Sequence, residues 1–403
     1  MDAVDVSQLH LRKAGGFKRL TKEKGGTGPR KDDGNHSPEE KFENNDLILD
    51  ADEEDTAGKV VVRSQKKWSY EIIKPLVIGT YSTVYLVSKT SSKGPAVKMA
   101  MKAENLGVTS ESTGYALANE IRFLVEFQKR WRDQVRWSDY LPQVCDFGHS
   151  KKYKFMILPL LGPNLDQLRD EMKSEFSYPT AARLSLQALN AVSMLHQIRM
   201  LHTRIEPTHF CIGTEHRRNV LYLVGLGHIS TFSRKPTWNR KAQYAPRPFS
   251  DKNPVNLELE CWFLMLLDLF DRCSLPWNKY KNMTRETIEE RKLLLFSAPL
   301  GGSSNRGGGL SRLPPEVRSM CAVMNKKDIR TSELRYQLLK FLNRSNVSMQ
   351  SPYEWELTQE YRASRNIKPD PVTYEKNVKA IAKCTADLLK EYTPPPKGNE
   401  EDG

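Results

Sequence analysis

The sequence predicts an α+β protein of two lobes, a small β-rich lobe followed by a larger helical one. Residues 68–90 alternate apolar and polar side chains around a turn at Gly79, which is typical of strands. One stretch of helical spacing, residues 114–130, separates this region from the apolar run KFMILPLLG, which has the length of a strand. The remainder is mainly helical, with an amphipathic segment at 180–198 and an almost wholly apolar segment at 257–273.

The 403 residues divide into three predicted parts. Residues 1–60 mix Gly, Lys, Asp and Glu without apolar periodicity, so we expect a disordered N-terminal tail. The two lobes should cover residues 68–345, with the small lobe ending near residue 159 and the large lobe beginning near 160. Residues 346–403 should form a C-terminal extension with a helix at about 371–392, which the prolines at 394–396 end.

Composition excludes some classes of protein and leaves others open. The formal net charge is +13, and the basic residues either cover solvated faces or attract an acidic protein, an anionic membrane or nucleic acid. No RNA-binding aromatic motif or zinc-finger pattern favours nucleic acid. The six cysteines contain no C-x-x-C pair, which argues against a disulfide framework or a zinc site. No run approaches the roughly 20 apolar residues of a membrane span, so we expect a cytoplasmic protein, with the nucleus as a further compartment.

Six motifs then follow one another in the order found in protein kinases. VIGTYSTVYL resembles a glycine-rich loop, with Gly79 at its second glycine and Val84 at the valine over the adenine. PAVK resembles the V-A-I-K strand, which assigns Lys98 as the phosphate-pairing lysine and Glu120 as its ion-pair partner. LLGPNLDQL, LHTRIEPTHF, LELECWF with SLPW, and SPYEWEL resemble motifs of the casein kinase 1 group and its tau-tubulin kinase-like members. Residues 68–357 are therefore identified as a member of that group, which implies a bilobal protein kinase-like fold.

The resemblance also implies a nucleotide pocket and a cofactor. Its residues would be Gly79, Val84, Ala96, Lys98, Glu120 and Leu161, with Leu158 beside them. The expected cofactor is ATP, bound without Mg²⁺.

The residues that carry catalysis in the family are replaced in this chain. Arg204 stands where the family has the aspartate that accepts the substrate proton, and arginine neither takes a proton nor binds a cation. Glu206 replaces a lysine that faces the phosphate. His209 replaces the metal-binding asparagine, and Gly225, in Gly-Leu-Gly, replaces the aspartate of D-F-G, so the chief Mg²⁺ carboxylate is missing. We therefore expect no catalytic residue and no metal ligand at these four degenerate positions.

Four further positions bear on this interpretation. Asp146-Phe147-Gly148 spells D-F-G, but it precedes the hinge run, so we interpret it as a tight turn of the small lobe. Lys241 replaces the threonine that steadies the catalytic base, and Gln243 replaces an arginine that binds anionic substrate groups. Glu258 replaces the aspartate that braces the catalytic loop, and its longer side chain can serve the same purpose.

Three functions fit this sequence. The first is a pseudokinase that acts in signalling as a binding or scaffold protein, with a kinase or an acidic or phosphorylated protein as its partner. The second is an atypical ATP-dependent serine/threonine kinase that recruits another acid, for which Glu206 is the candidate. The third is a nucleic-acid-associated protein, whose binding would depend steeply on salt.

Overall fold

A computed structural model describes the protein from Val61 to Leu357. The description leaves out residues 64–67, 80–81, 92–93, 106–115, 136–137, 150–152, 173–174, 239–240, 249–251, 280–282 and 298–308. The predicted N-terminal tail, residues 1–60, and the predicted C-terminal helix, residues 371–392, both lie outside the described residues.

The N-terminal lobe is a six-stranded antiparallel sheet with one helix. In order across the sheet the strands are β1-β2-β3-β4-β6-β5. The bounds of these elements are β1 Val61–Arg63, β2 Ser69–Ile78, β3 Ser82–Ser91, β4 Gly94–Asn105, α1 Ala116–Arg130, β5 Asp146–His149 and β6 Tyr153–Pro159.

The two faces of this sheet have different roles because side chains alternate along each strand. One face carries the small lobe's own core, to which β4 contributes Met99, Met101 and Ala103. The intervening residues of β4 point to the side where α1 packs. There the buried Glu104 carboxylate accepts a hydrogen bond from the Leu117 amide at 3.2 Å. A carboxylate at this position is stabilised by the free N–H groups and the positive end of the helix dipole.

Two features at the margins of the sheet differ from the prediction. Strand β1 pairs Val61 with Glu71 and buries Val62, so the lobe begins before the predicted residue 68.

The sequence Asp146-Phe147-Gly148 was interpreted as a tight turn, and this is wrong because these residues form edge strand β5. Asp146 is buried and accepts a hydrogen bond from the Tyr70 hydroxyl at 3.0 Å, which gives it a structural role in the sheet.

The C-terminal lobe is helical and contains the larger core. Helices α3 and α4 cross its centre, and α4 is buried along almost its whole length, as its apolar sequence predicted. The elements of the lobe are α2 Leu165–Met172, α3 Tyr178–Gln197, β7 Met200–Leu201, β8 Phe210–Ile212, β9 Leu221–Leu223, β10 Ser230–Thr231, α4 Pro254–Phe270, α5 Arg285–Ser297, α6 Pro315–Met324, α7 Thr331–Arg344 and α8 Glu354–Leu357.

The motif SPYEWEL belongs to this lobe, so the lobe extends beyond the boundary predicted at residue 345. The rings of Tyr353 and Trp355 are stacked with centroids 4.3 Å apart, and both side chains are buried. The Arg183 guanidinium lies 3.9 Å from the Tyr353 ring centroid, and the Tyr353 hydroxyl is 2.9 Å from the Gln187 amide nitrogen. These contacts attach residues 351–357 to α3.

The predicted arrangement is confirmed: an antiparallel small lobe with one helix precedes a helical large lobe, as in the bilobal protein kinase fold. Among the described helices, none is both long and apolar enough to cross a bilayer.

Replacing Trp355 by alanine should destabilise the large lobe. Truncating a buried tryptophan to alanine typically lowers the free energy of unfolding by about 3–5 kcal/mol, because transfer free energy and packing are both lost. The matched control is Trp68→Ala, since Trp68 lies in the small lobe and is 37 % exposed. Denaturant unfolding should show a clearly larger loss for Trp355→Ala, and equal losses would contradict the structural role of the motif.

Candidate functional site

A buried carboxylate joins the two lobes at the cleft between them. Glu120, on α1, is 3 % exposed and accepts a 2.6 Å hydrogen bond from the Lys102 ammonium group on β4. Its other oxygen accepts a hydrogen bond from the Leu226 amide at 3.2 Å. Burial alone would raise the pKa of Glu120, but the Lys102 charge and these hydrogen bonds lower it, so the carboxylate is ionised.

The lysine in this pair is Lys102, and the assignment of Lys98 was wrong. Strand β4 contains Ala-x-Lys twice, at 96–98 and at 100–102. The two copies are four residues apart. Because side chains alternate between the two faces of a strand, both copies point to the same face. Lys98 and Ala96 are exposed, whereas Lys102 reaches Glu120 and Ala100 is buried.

Two of the apolar residues predicted for the pocket, Val84 and Leu158, lie beside the second copy. Val84 lies opposite Lys102 in the β3–β4 register, and Leu158 lies opposite Ala100 in the β4–β6 register. Leu161 follows β6 in the connection to the large lobe and is partly buried. Val84 and Leu158 therefore lie beside Lys102 and Ala100 in the sheet, and the nucleotide-binding role of Val84, Ala96 and Leu161 stays a prediction.

Gly79 closes a tight turn between β2 and β3. Its amide donates to the Ser82 carbonyl oxygen at 3.0 Å, and a Cβ added to Gly79 would lie only 2.9 Å from that oxygen. The close backbone approach leaves no room for a side chain at this position.

The loop that contains Thr203, which resembles the catalytic loop of kinases, is held by Glu258, as the sequence predicted. This fully buried carboxylate on α4 accepts hydrogen bonds from the Thr203 amide at 2.6 Å and from His196 Nε2 at 2.8 Å. Thr203 has a φ of 68°, a left-handed conformation that is strained for a β-branched residue. The hydrogen bonds of Glu258 therefore maintain the loop in an unfavourable backbone conformation.

The imidazole of His202, the residue before Thr203, is neutral. Its Nε2 donates to the Val224 carbonyl oxygen at 2.9 Å, and its Nδ1 accepts from the Arg204 amide at 3.3 Å, which leaves no place for a second proton. Burial lowers the pKa of His202 to about 4.

The imidazole of His209 occupies the space beside Gly225 where a metal-binding carboxylate would begin. A Cβ added to Gly225 would lie 2.5 Å from His209 Cδ2. Gly225 also has a φ of 78°, which favours glycine. His209 donates from Nδ1 to the Arg204 carbonyl oxygen at 2.7 Å, and burial lowers its pKa. Gly225 and His209 are thus sterically matched to each other.

These residues do not fit Mg²⁺. The ion prefers oxygen ligands in octahedral geometry, whereas positions 209 and 225 offer an imidazole and a hydrogen atom. Burial lowers the pKa of His209, the nearby Glu206 carboxylate raises it, and the Lys102 and Arg204 charges lower it, so charges of both signs surround the imidazole. Within the described part of the chain, no three His, Cys, Asp or Glu side chains form a group that could hold a metal ion.

Glu206 and Lys241, the two other replaced positions, meet in the structure. The Lys241 ammonium nitrogen lies 3.2 Å from Glu206 Oε1, and the Thr208 hydroxyl donates to the same oxygen at 2.6 Å. Gln243, further along, lies 3.3 Å from the Asn278 side-chain oxygen. Sequence reasoning had treated the changes at 206 and 241 as separate losses.

Comparison with known proteins gives relatives among the protein kinases. No family model matches the chain. Two Caenorhabditis elegans proteins named as serine/threonine-protein kinases are each 26 % identical to it. One matches over 245 residues, 60 % of this chain and 62 % of its own length, and the other over 221 residues, 49 % and 66 %. The serine/threonine-protein kinase spe-6 of Caenorhabditis elegans is 24 % identical over 318 residues, 74 % of this chain and 79 % of its own length.

The chain spans just under two thirds of the length of the first two relatives. Together with the bilobal fold, these similarities support a place in the protein kinase superfamily.

Replacing Lys102 by methionine should be far more destabilising than replacing Lys98. The first change leaves Glu120 buried without its cation, which typically costs about 3–5 kcal/mol. Lys98→Met, in the same strand and on the same face, should stay within about 0.5 kcal/mol of the parent. Denaturant unfolding of both variants checks this, and a larger effect of Lys98→Met would restore the original assignment.

Gly225→Ala should be destabilising in a way that depends on His209. The left-handed conformation alone costs an alanine roughly 1–2 kcal/mol, and contact with the imidazole adds to this. In the His209→Asn background the steric part should disappear while the conformational part stays. A double-mutant cycle measured by denaturant unfolding should therefore be non-additive, and strictly additive losses would show that the two residues are not matched.

Proposed function

We propose that the chain is a pseudokinase of the casein kinase 1 and tau-tubulin kinase type, a binding or scaffold protein in signalling that transfers no phosphate. The observation that carries this proposal is the mutual fit of His209 and Gly225. Loss of one carboxylate by drift would leave a gap at the metal position, whereas here an imidazole fills it. Arg204 supplies a cation where the family has its proton acceptor.

The structural supports of the cleft persist without this chemistry. The Lys102–Glu120 pair, the bond from the Leu226 amide to Glu120 and the brace from Glu258 to Thr203 are all present. A chain of this kind keeps the shape of a kinase, which is what a binding function needs. As its ligand we propose ATP without Mg²⁺, with its adenine between Val84, Ala100 and Leu158 and its phosphates near Lys102.

For a protein partner, we propose an acidic or phosphorylated segment that binds beside the segment Gly225–Pro246. Between Glu215 and Asp251 the sequence contains no acidic residue. Arg199, Arg234 and Lys235 are exposed in this region, where the Phe232 amide donates to the Arg199 carbonyl oxygen. Such a surface attracts anions. The same cations would attract nucleic acid. Binding of nucleic acid would weaken steeply as salt rises, because counterions are released from the polyanion, and this distinguishes it from a protein segment.

The alternative, an atypical kinase, depends on Glu206 as the recruited acid. Glu206 is 6 % exposed, and Thr208 and Lys241 both contact its Oε1. Oε1 of this carboxylate therefore already binds a hydroxyl and an ammonium group, which a substrate hydroxyl would have to displace.

The proposal predicts no transfer of the γ-phosphate to acidic protein substrates with Mg²⁺ or Mn²⁺ present. The matched comparison is the triple variant Arg204→Asp, His209→Asn, Gly225→Asp, which restores the three family side chains in the same chain. Incorporation by the parent that Glu206→Gln abolishes would overturn the proposal in favour of the atypical kinase.

A further inference from the structure

One contact determines which nitrogen of His209 carries its hydrogen. His209 Nδ1 lies 2.7 Å from the Arg204 carbonyl oxygen, and a carbonyl oxygen can only accept, so Nδ1 is the donor. In the neutral imidazole Nε2 therefore has a lone pair and no hydrogen. A second proton would bind at Nε2 and turn this nitrogen into a hydrogen-bond donor.

The edge of the imidazole that carries Nε2 faces Gly225, the position that corresponds to the D-F-G aspartate of the family. A Cβ added to Gly225 would lie 2.9 Å from Nε2, and 22 % of the His209 side chain is exposed. Lys102, near which the nucleotide phosphates are proposed to lie, is close enough for its charge to lower the pKa of His209. Nε2 is therefore on the side of the ring where phosphates would bind.

The charges around this imidazole come from the sheet, from α1 and from the loops of the large lobe. They are three cations and two carboxylates, beside one neutral imidazole: Lys102, Arg204, Lys241, Glu120, Glu206 and His202. Lys102 is paired with Glu120, and Lys241 with Glu206, so these groups have an excess of only one positive charge. The terminal phosphate of a nucleotide alone carries roughly 1.5–2 negative charges at pH 7. A nucleotide without its metal would therefore need further positive charge here.

His209 can supply that charge when an anion is bound. In the free protein burial lowers its pKa, so the imidazole is neutral at pH 7. A phosphate group that contacts Nε2 would raise the pKa, because a neighbouring negative charge favours the protonated form. The Glu206 carboxylate, 3.9 Å from Nδ1, acts in the same direction.

We propose that His209 binds the phosphates of a metal-free nucleotide as an imidazolium, so that nucleotide binding takes up a proton in place of Mg²⁺. The inference rests on the proposed ligand, ATP without Mg²⁺. The proton bound at Nε2 gives both a positive charge and a donor for a phosphate oxygen, and charge-assisted hydrogen bonds of this kind are strong. The affinity for ATP should therefore fall as the pH rises from the pKa of the free imidazole to that of the bound one.

Calorimetric titration of the full chain with ATP, in the absence of divalent metal, counts the protons directly. The binding enthalpy is measured at pH 7 in two buffers of different ionisation enthalpy, and the difference gives the protons taken up per ATP. We expect the parent to take up roughly 0.5–1 proton more than His209→Asn, since one linked group binds at most one. From pH 6.5 to pH 7.5 the affinity of the parent should fall roughly fivefold more than that of the variant, because one linked proton gives at most about tenfold per pH unit.

Three measurements separate His209 from other sources of proton uptake. ATP has a titrating phosphate of its own, and its contribution is the same in the parent and in His209→Asn, so it cancels in the comparison. His216→Gln removes an exposed histidine from the turn between β8 and β9 and should behave like the parent. In the parent itself, the nuclear magnetic resonance signal of the His209 Cε1 hydrogen should titrate at a higher pH when ATP is bound. This third readout does not depend on the folding of any variant.

Equal proton uptake by the parent and His209→Asn, with an unchanged His209 titration, would overturn the inference and leave ATP as the ligand. Absence of ATP binding at every pH from 6 to 8 would overturn the inference and the proposed ligand together. The phosphate-transfer assay tests the pseudokinase separately, because a parent that transfers phosphate refutes that proposal whatever its proton uptake.

Discussion

The Glu120 carboxylate is the interaction on which the rest of the cleft depends. It binds Lys102 of the sheet and the Leu226 amide of the large lobe while standing on α1, so one buried charge connects three parts of the molecule. A buried carboxylate is tolerated only when such partners compensate for its lost hydration. Val84 lies opposite Lys102 in the sheet, and the buried Ala100 lies two residues before it on the same face of β4.

The positions that support the cleft and the positions that would carry catalysis differ in what this chain retains. The residues that only hold the cleft together, Glu120 and Glu258, still make the contacts their positions require. The residues that would touch metal and substrate are changed in ways that fit one another, as His209 fits Gly225 and Lys241 fits Glu206. Paired changes of this kind allow a stable fold without the catalytic groups, and this is the physical basis of the pseudokinase proposal.

Much of this could be predicted from the sequence, and the errors have identifiable causes. Apolar periodicity predicted the strands and helices because burial follows the repeat of each element. Lys98 was assigned from the resemblance of PAVK to V-A-I-K, but Ala-x-Lys occurs twice on one face of β4, and only the fold shows which copy reaches Glu120. Asp146-Phe147-Gly148 has turn composition, yet pairing with β6 overrides that local preference. Glu206 and Lys241 are distant in sequence, so two separate replacements gave no sign that they form an ion pair.

The most direct test of the account is the Mg²⁺ dependence of nucleotide binding, followed as the thermal shift that ATP produces in the full chain with and without millimolar Mg²⁺. Ligand at about a hundred times its Kd stabilises a fold by roughly 2.7 kcal/mol, so a metal-dependent site would be visible. The account predicts that ATP produces a shift and that this shift is the same in both conditions. A shift that appears or grows only with Mg²⁺ would contradict the central claim that the metal ligands have been replaced.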